Sequence, residues 1–455
     1  MVANIVSIAP EVATEKFDWL EAWYPVHFVQ DLSKTEPTRF VLLEQPLVIW
    51  WHAESQQWRV FADICPHRLA PLSEGRIVDG CLECPYHGWQ FSQSGSCEKI
   101  PFQEAGGTAN ESLRAQVKTY PSRVAQGLLF VYPGQLENAD TQPLPTIPAL
   151  DQYPGEWVMA DVFRDIPYDA TTLLENVLDT SHVAFTHHPR VGNRQNAKEF
   201  ILDVSDVEQT GFTGIWEEGP RRGKLGSQKT TFFAPSAMWH DIEESPFGQV
   251  MTCVYAVPTE KGKCRAIVRL PFRFKSAIPR LAFKYTPRWF SHVNQMGILE
   301  DDQIFLHLQE RELEKSHREF NKNYAQSCYL PTGSDLFVLA YRKWVESFGE
   351  PFGEQTFAPA ETSQPKLLER YHSHTENCSS CRTALANIKK IRTGLVIFGF
   401  VLWLGLPFAG VLGLSLGVMG AIALGITLCG LTWWKLGEYM RKFYDGEYPP
   451  TRNYK

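Results

Sequence analysis

CPHRLAPLSEGRIVDGCLECPYHGW, residues 65–89, states one piece of chemistry twice: Cys65-Pro66-His67 and, after sixteen intervening residues, Cys84-Pro85-Tyr86-His87. Pro66 in the first motif and Pro85 with Gly88 in the second mark turns, as expected of two loops that approach each other from a small β scaffold. Two thiolates and two imidazoles suit a two-iron, two-sulfide cluster with cysteines on one iron and histidines on the other. With two ferric ions and two sulfides this ligand set sums to zero charge, whereas four thiolates would leave it at minus two. An electron is therefore added more easily. Zinc is the alternative for two Cys and two His, but a zinc finger groups its cysteines, then its histidines, and closes on a helix. Here each half supplies one of each, among strands. Cys81 and Cys97 read as ordinary small cysteines.

The surroundings agree. RFVLLEQPLVIWWHAESQQWRVFADIC (39–65) reads as three strands separated by turns, and QGLLFVYPG (126–134) as another strand ending in a turn. Residues 20–135 form an all-β module. PGQLENADTQPLPTIPALDQYPGEW (133–157) is proline-rich and polar, a connection between domains. Beyond it the pattern changes to α+β over 151–370. DATTLLENVLDTSHVAF (169–185) and LEDDQIFLHLQERELEKSH (299–317) read as helices, and GFTGIWEEG, SQKTTFFAP, QVMTCVYAVPT and CRAIVRLPFRF as strands of a largely antiparallel sheet.

The first of these helices carries a second set of metal-ligating residues. Asn176, Asp179 and His182 are spaced by three, along one side of a helix. His187 is five residues beyond His182, about 140° of rotation, so the helix must distort or end between them for both imidazoles to meet one ion. Pro189 makes an ending natural. A two-histidine, one-carboxylate triad leaves positions open for O₂ and substrate on a mononuclear Fe(II). The acidic run Glu300-Asp301-Asp302, read as the start of a long helix, supplies the carboxylate; Asp302 is favoured, with Asp301 the alternative.

CPHRLAPLSEGR followed by CPYHGWQF resembles the Rieske domain of Rieske non-haem iron oxygenases. N-x-x-D-x-x-H-x-x-x-x-H over 176–187 resembles their catalytic domain. The resemblance implies that Cys65, His67, Cys84 and His87 hold a Rieske [2Fe-2S] cluster that relays electrons, and that His182, His187 and Asp302 hold the iron. It also implies that Asp179 bridges to a Rieske histidine of a neighbouring subunit in a homotrimer, with Asn176 near the iron. The chain has no glycine fingerprint for a flavin or nicotinamide dinucleotide and no plant-type four-cysteine ferredoxin pattern, so a separate ferredoxin is the expected donor.

Among 455 residues, the 42 from Thr393 to Trp434 include no Asp, Glu, Lys or Arg. One straight helix would run about 63 Å, about twice the bilayer core, so two spans with a turn between Gly410 and Gly420 fit better. Pro407 should kink the first span. Lys389, Lys390 and Arg392 before the run, and Lys435, Arg441 and Lys442 after it, place both ends and the catalytic domains on the cytoplasmic face. Gly410, Gly413, Gly417, Gly420 and Gly425 permit close packing.

Between domain and hairpin, in the connector 371–390, Cys378-Ser379-Ser380-Cys381 follows Tyr371-His372-Ser373-His374. A thiol/disulfide switch is the favoured reading. A zinc site with His372 or His374, and inert cysteines, are the other two. RYHSHTENCSSC, the hairpin and the early WYPVHFVQDL (23–32) resemble the pheophorbide a oxygenase-like branch, which includes chlorophyllide a oxygenase and a 55-kDa chloroplast translocon component. That resemblance implies a chlorophyll-type tetrapyrrole substrate and thioredoxin sensitivity. The opening MVANIVSIAPEVATEKFDWL has neither a basic n-region nor an apolar run, so the expectation is no cleaved leader or transit peptide, and a cyanobacterial thylakoid or plasma membrane. A formal charge of −7 excludes a general nucleic-acid binder. Oxidation of another apolar ring compound, and a membrane-bound electron-transfer or redox-sensing role, are the competing functions.

Overall fold

The computed structural model describes residues 15–453 except residue 354, so the opening stretch on which the expectation of no leader rests lies largely outside the described residues. Thr38–Leu42, Gln45–His52 and Gln57–Ala62, the three strands read over 39–65, form an antiparallel sheet with Thr119–Tyr120, which was not read. The first two strands are joined by Leu43 and Glu44, both left-handed at φ 49° and 62°. Left-handed backbone is costly for side-chain-bearing residues. Here the turn is held from outside: Leu43 N–H donates to Pro258 O (3.0 Å) and Glu44 N–H to Thr259 O (2.7 Å). These bonds dock the β module on the long strand Gly248–Glu260 of the following domain. A second small sheet, Arg76–Val78, Cys81–Glu83, Gln90–Phe91 and Cys97–Lys99, carries the second cysteine–histidine loop. Its core, with Val48, Trp50, Phe61, Leu72, Leu82 and Phe91, packs beneath both loops.

The second domain is a nine-stranded antiparallel sheet in which Gly248–Glu260 is central. Three of the stretches read as strands are single strands, and CRAIVRLPFRF divides into Lys263–Arg269 and Pro271–Phe274. Four more strands went unread: Val158–Met159, Val162–Ile166, Asp203–Val204 and Ala237–Ser245, the last because its burial does not alternate. The long helix is Arg288–Phe320. The acidic run therefore lies in its interior and not at its start, a correction that removes the helix dipole as a reason for those acids. One continuous core joins both domains, running from Phe40 and Leu42 through Phe163 and Tyr255 to Trp344 and Leu385.

Two helices, Ser379–Val411 and Leu416–Arg441, form the C-terminal hairpin, with mean hydropathies of 2.1 and 1.8 over their most apolar 18 residues and almost no burial in the chain. Each is long and apolar enough to cross a membrane. The turn at 412–415 falls where the glycines suggested, and Pro407 lies inside the first helix. A Cβ on Gly425 would stand 3.0 Å from Leu402 Cδ1, so this glycine is where the two helices pack closely. The first helix begins fourteen residues before the charge-free run, and its early turns bury Cys381, Ala384, Leu385 and Ile388 in the soluble core. The hairpin is thus a continuation of the catalytic domain and not a tethered appendage.

Candidate metal centres

Cys65 and Cys84 lie on facing loops as buried free thiols. Each loop closes on itself: Leu69 N–H donates to Cys65 O (2.9 Å) and Gly88 N–H to Cys84 O (3.1 Å). Gly88 sits at φ +69°, where its lack of a side chain also avoids Pro101. The His67 and His87 rings are 4.5 Å apart, and His67 stacks on Trp89. The Nδ1 atoms of both histidines are buried without a protein partner. Burial pushes the Cys65 thiol up to about 12, which bound cations would reverse. Two thiols and two ring nitrogens lacking partners fit a cluster with mixed cysteine and histidine ligation.

The second centre depends on a helix break, which the spacing suggested between His182 and His187 and which lies earlier. The helix Ala170–Leu178 buries Leu173, Leu174 and Leu178 and stops at Asp179, before His182 and not after it. Asp179 turns extended, and its Oδ1 accepts from Ser181 N–H (2.7 Å) and Ser181 Oγ (2.6 Å). Asp residues favour such local turns over helix continuation. A short second helix, Val183–Thr186, then sets His182 at its start and His187 at its end, with rings 5.1 Å apart.

The long helix brings in the carboxylates. His187 Nε2 is 3.3 Å from Asp302 Oδ2, and His187 Nδ1 is 3.5 Å from Asp301 Oδ2. The donor atoms of His182, His187 and Asp302 all lie within 4.8 Å of one another. Asp302 therefore joins the group, while Asp301 stands behind His187 and meets Arg190 (3.5 Å). The Asn176 side chain hydrogen-bonds Asp302; burial nevertheless pushes that carboxyl up to about 7, against the pull of His182. His182 Nδ1 is 2.5 Å from Asp179 O, so Nδ1–H donates to the carbonyl and the Nε2 lone pair is left for a ligand. The donor chemistry fits a mononuclear iron bound on one face.

Cys378 and Cys381 are buried free thiols beside His374 and His292, whereas His372 is exposed. His292 was not foreseen.

Two supporting groups also escaped the sequence. Glu300 pairs with Arg164 and Arg370, all three buried. His240, on the unread strand Ala237–Ser245, donates from Nε2 to Val177 O (3.0 Å) and so props the helix end that presents Asn176 and Asp179, while its Nδ1 accepts from Thr230 Oγ1 (2.8 Å). Burial lowers the His240 pKa to about 4. The fold therefore holds the ring neutral, and an unfolded chain would protonate it near 6.5. That contribution is complete above pH 6.5 and lost as pH falls toward 4, by up to about 3 kcal/mol. Denaturation midpoints of detergent-solubilised protein between pH 7 and 4.5 should fall less for His240→Gln than for wild type. Equal slopes would remove His240 from the acid response.

A family model described as a Rieske [2Fe-2S] domain matches residues 22–121, and one described as pheophorbide a oxygenase matches residues 232–319. The chain is 35% identical over 427 residues to pheophorbide a oxygenase, chloroplastic, of Oryza sativa subsp. japonica, covering 87% of this chain and 79% of that protein. It is 32% identical over 434 residues to flavonoid 8-hydroxylase 2, chloroplastic, of Ocimum basilicum, with coverages of 87% and 79%. Dicamba monooxygenase bound to dicamba superposes with a TM-score of 0.58 at 20% identity, over 72% of this chain and 96% of that one, a likeness of fold.

Proposed function

The chain belongs to the pheophorbide a oxygenase-like branch of the Rieske non-haem iron oxygenases, and from that premise we propose that it is anchored in a membrane and inserts oxygen from O₂ into a chlorophyll-type tetrapyrrole, with ferredoxin as electron donor. The observation that carries this reading is the convergence of His182, His187 and Asp302 within 4.8 Å in a chain that also contains a Rieske domain. When bound, the cluster supplies single electrons and the mononuclear iron supplies the open positions at which O₂ is activated.

The protein's own residues do the rest. Cys65, Cys84, His67 and His87 hold the cluster, and His182, His187 and Asp302 hold the iron. Asp179 fixes the His182 tautomer through its carbonyl, Asp301 orients His187, and Asn176 orients Asp302. The Asp179 carboxylate is partly exposed, as contact with a Rieske histidine of the next subunit in a homotrimer requires. Val183 and Phe185, flanking the histidines, are 36% and 53% exposed, an apolar surface beside the centre that suits a flat hydrophobic substrate. The basic residues around the hairpin favour the cytoplasmic face for these domains.

A second reading, oxidation of another apolar ring such as a flavonoid, is favoured by the 32% identity to a flavonoid 8-hydroxylase. Product mass spectrometry under ¹⁸O₂ separates the two. Protein with reduced ferredoxin should convert a member of a panel of chlorophyllide, protochlorophyllide and pheophorbide to a product carrying ¹⁸O, and His182→Ala should not. Labelling of a flavone alone would transfer the assignment to the second reading. No labelled product from any compound, with cluster and mononuclear iron both present, would remove the substrate assignment.

A further inference from the structure

We propose that His292, His374, Cys378 and Cys381 form a closed tetrahedral zinc site that pins the long catalytic helix to the foot of the membrane hairpin. The four residues come from three places in the fold. His292 lies in the second turn of the long helix, His374 in the π-helical turn Tyr371–Thr375, and the cysteines at the start of the first hairpin helix. None is more than 2% exposed, and their donor atoms lie within 4.8 Å of one another.

The separations have the lengths of a coordination tetrahedron. His292 Nδ1 is 3.1 Å from His374 Nε2, 3.5 Å from Cys378 Sγ and 3.4 Å from Cys381 Sγ, and His374 Nε2 is 3.3 Å from Cys381 Sγ. With ordinary zinc–nitrogen and zinc–sulfur bonds, tetrahedral edges are roughly 3.3 Å between nitrogens and roughly 3.6 Å between nitrogen and sulfur. Hydrogen bonding is a poor account of the same contacts. His292 Nδ1 has one lone pair or one hydrogen, yet three donor or acceptor atoms converge on it.

The surroundings orient the ligands. His374 Nδ1 is 2.7 Å from Phe163 O, so its hydrogen points at that carbonyl and the Nε2 lone pair points into the cluster. Cys378 caps the hairpin helix and Cys381 is in its first turn, where the helix dipole favours thiolates. Binding releases one proton from each thiol to solvent. Two thiolates then balance the charge of the divalent cation, so the buried site is neutral. Four protein donors and full burial describe a structural centre, unlike the three-residue group at His182. Burial also keeps both sulfurs from the surface that a protein reductant would need to reach, which weighs against the thiol switch expected from the Cys378–Cys381 spacing.

The site's position gives it a consequence for the enzyme. Asp302 is ten residues along the same helix from His292, about 15 Å. Trp289 N–H donates to Ser380 Oγ, and Ser379 donates to Asp31 Oδ1 from both its N–H and its Oγ, so the foot of the hairpin also grips the β module.

The test is metal analysis of the full-length protein in detergent, purified anaerobically, with zinc-edge X-ray absorption and the cluster's EPR signal recorded on the same samples. One zinc per chain is expected, with two sulfur and two nitrogen neighbours. Cys378→Ser/Cys381→Ser should lose zinc at least roughly tenfold while keeping the cluster signal. Should that variant not fold, wild-type protein purified from cobalt-supplemented cells should show cobalt–thiolate charge-transfer and tetrahedral ligand-field bands with the cluster intact. Three results would overturn the proposal: a full cluster without zinc or cobalt, zinc with only nitrogen and oxygen neighbours, or a Cys378–Cys381 disulfide in the anaerobically isolated protein.

Discussion

Asp302→Ala is expected to abolish turnover, with loss of the mononuclear iron and retention of the cluster's two. Among the described residues the carboxylate is one of three protein donors that converge there, and His182 and His187 alone would leave the ion without its anionic ligand. Asp301→Asn should behave differently. Asp301 touches His187 from behind, at 3.5 Å, and loss of such an outer partner costs roughly 10–100-fold in metal affinity or activity. Asp301→Asn should therefore retain measurable activity at saturating ferrous iron. Iron content and single-turnover product yield, measured side by side for both variants, provide the check. An iron-loaded, active Asp302→Ala enzyme beside an inactive Asp301→Asn one would exchange the two assignments.

Glu300→Ala should cost about 3–5 kcal/mol of stability, the largest effect expected of a residue that touches neither metal centre. Glu300 Oε1 accepts from Arg164 Nη1 (2.6 Å) and Arg370 Nε (2.6 Å), and Oε2 from Arg370 Nη2 (2.7 Å). The arginines reach on to Glu369 O and Lys442 O, so one carboxylate joins the long helix, a sheet strand and the chain segment after the hairpin. Burial pushes the Glu300 carboxyl up, but Arg164 and Arg370 outweigh it and hold the group below its ordinary value. The carboxylate is thus ionised at neutral pH, and its contribution is lost only as acid titrates it below that ordinary value. Removing it strands two buried guanidinium charges. A thermal midpoint close to wild type, corresponding to less than about 1 kcal/mol, would mean that water reaches the triad and that it behaves as a surface pair. Because Asp301 and Asp302 follow directly, Glu300→Ala should also lower iron occupancy.

Residues close together in the chain carried most of what could be read. The Cys65–His67 and Cys84–His87 loops are built from local turns over a small sheet, so their spacing and proline positions describe them well. His182 and His187 were visible for a similar reason, although the helix ends at Asp179 and not between them. An Asp that caps its own turn through Ser181 competes with helix continuation, and three-residue spacing does not reveal which wins. Strand Ala237–Ser245 was missed because its neighbours bury both faces unevenly.

By itself, the sequence determined the chemistry of both centres, the all-β and α+β halves and the apolar hairpin, because ligand types, strand alternation and hydropathy are local properties. Only the tertiary structure shows that Asp302, and not Asp301, lies within 4.8 Å of both histidines. Adjacent residues on a helix point about 100° apart, and the rotation of Arg288–Phe320 against the sheet selects which one faces the histidines. Tertiary packing likewise brought His292 to within 3.1 Å of His374 across 82 residues of chain and gave Glu300 its two arginines. Such contacts form where separate elements share a core, and no spacing along the chain records them.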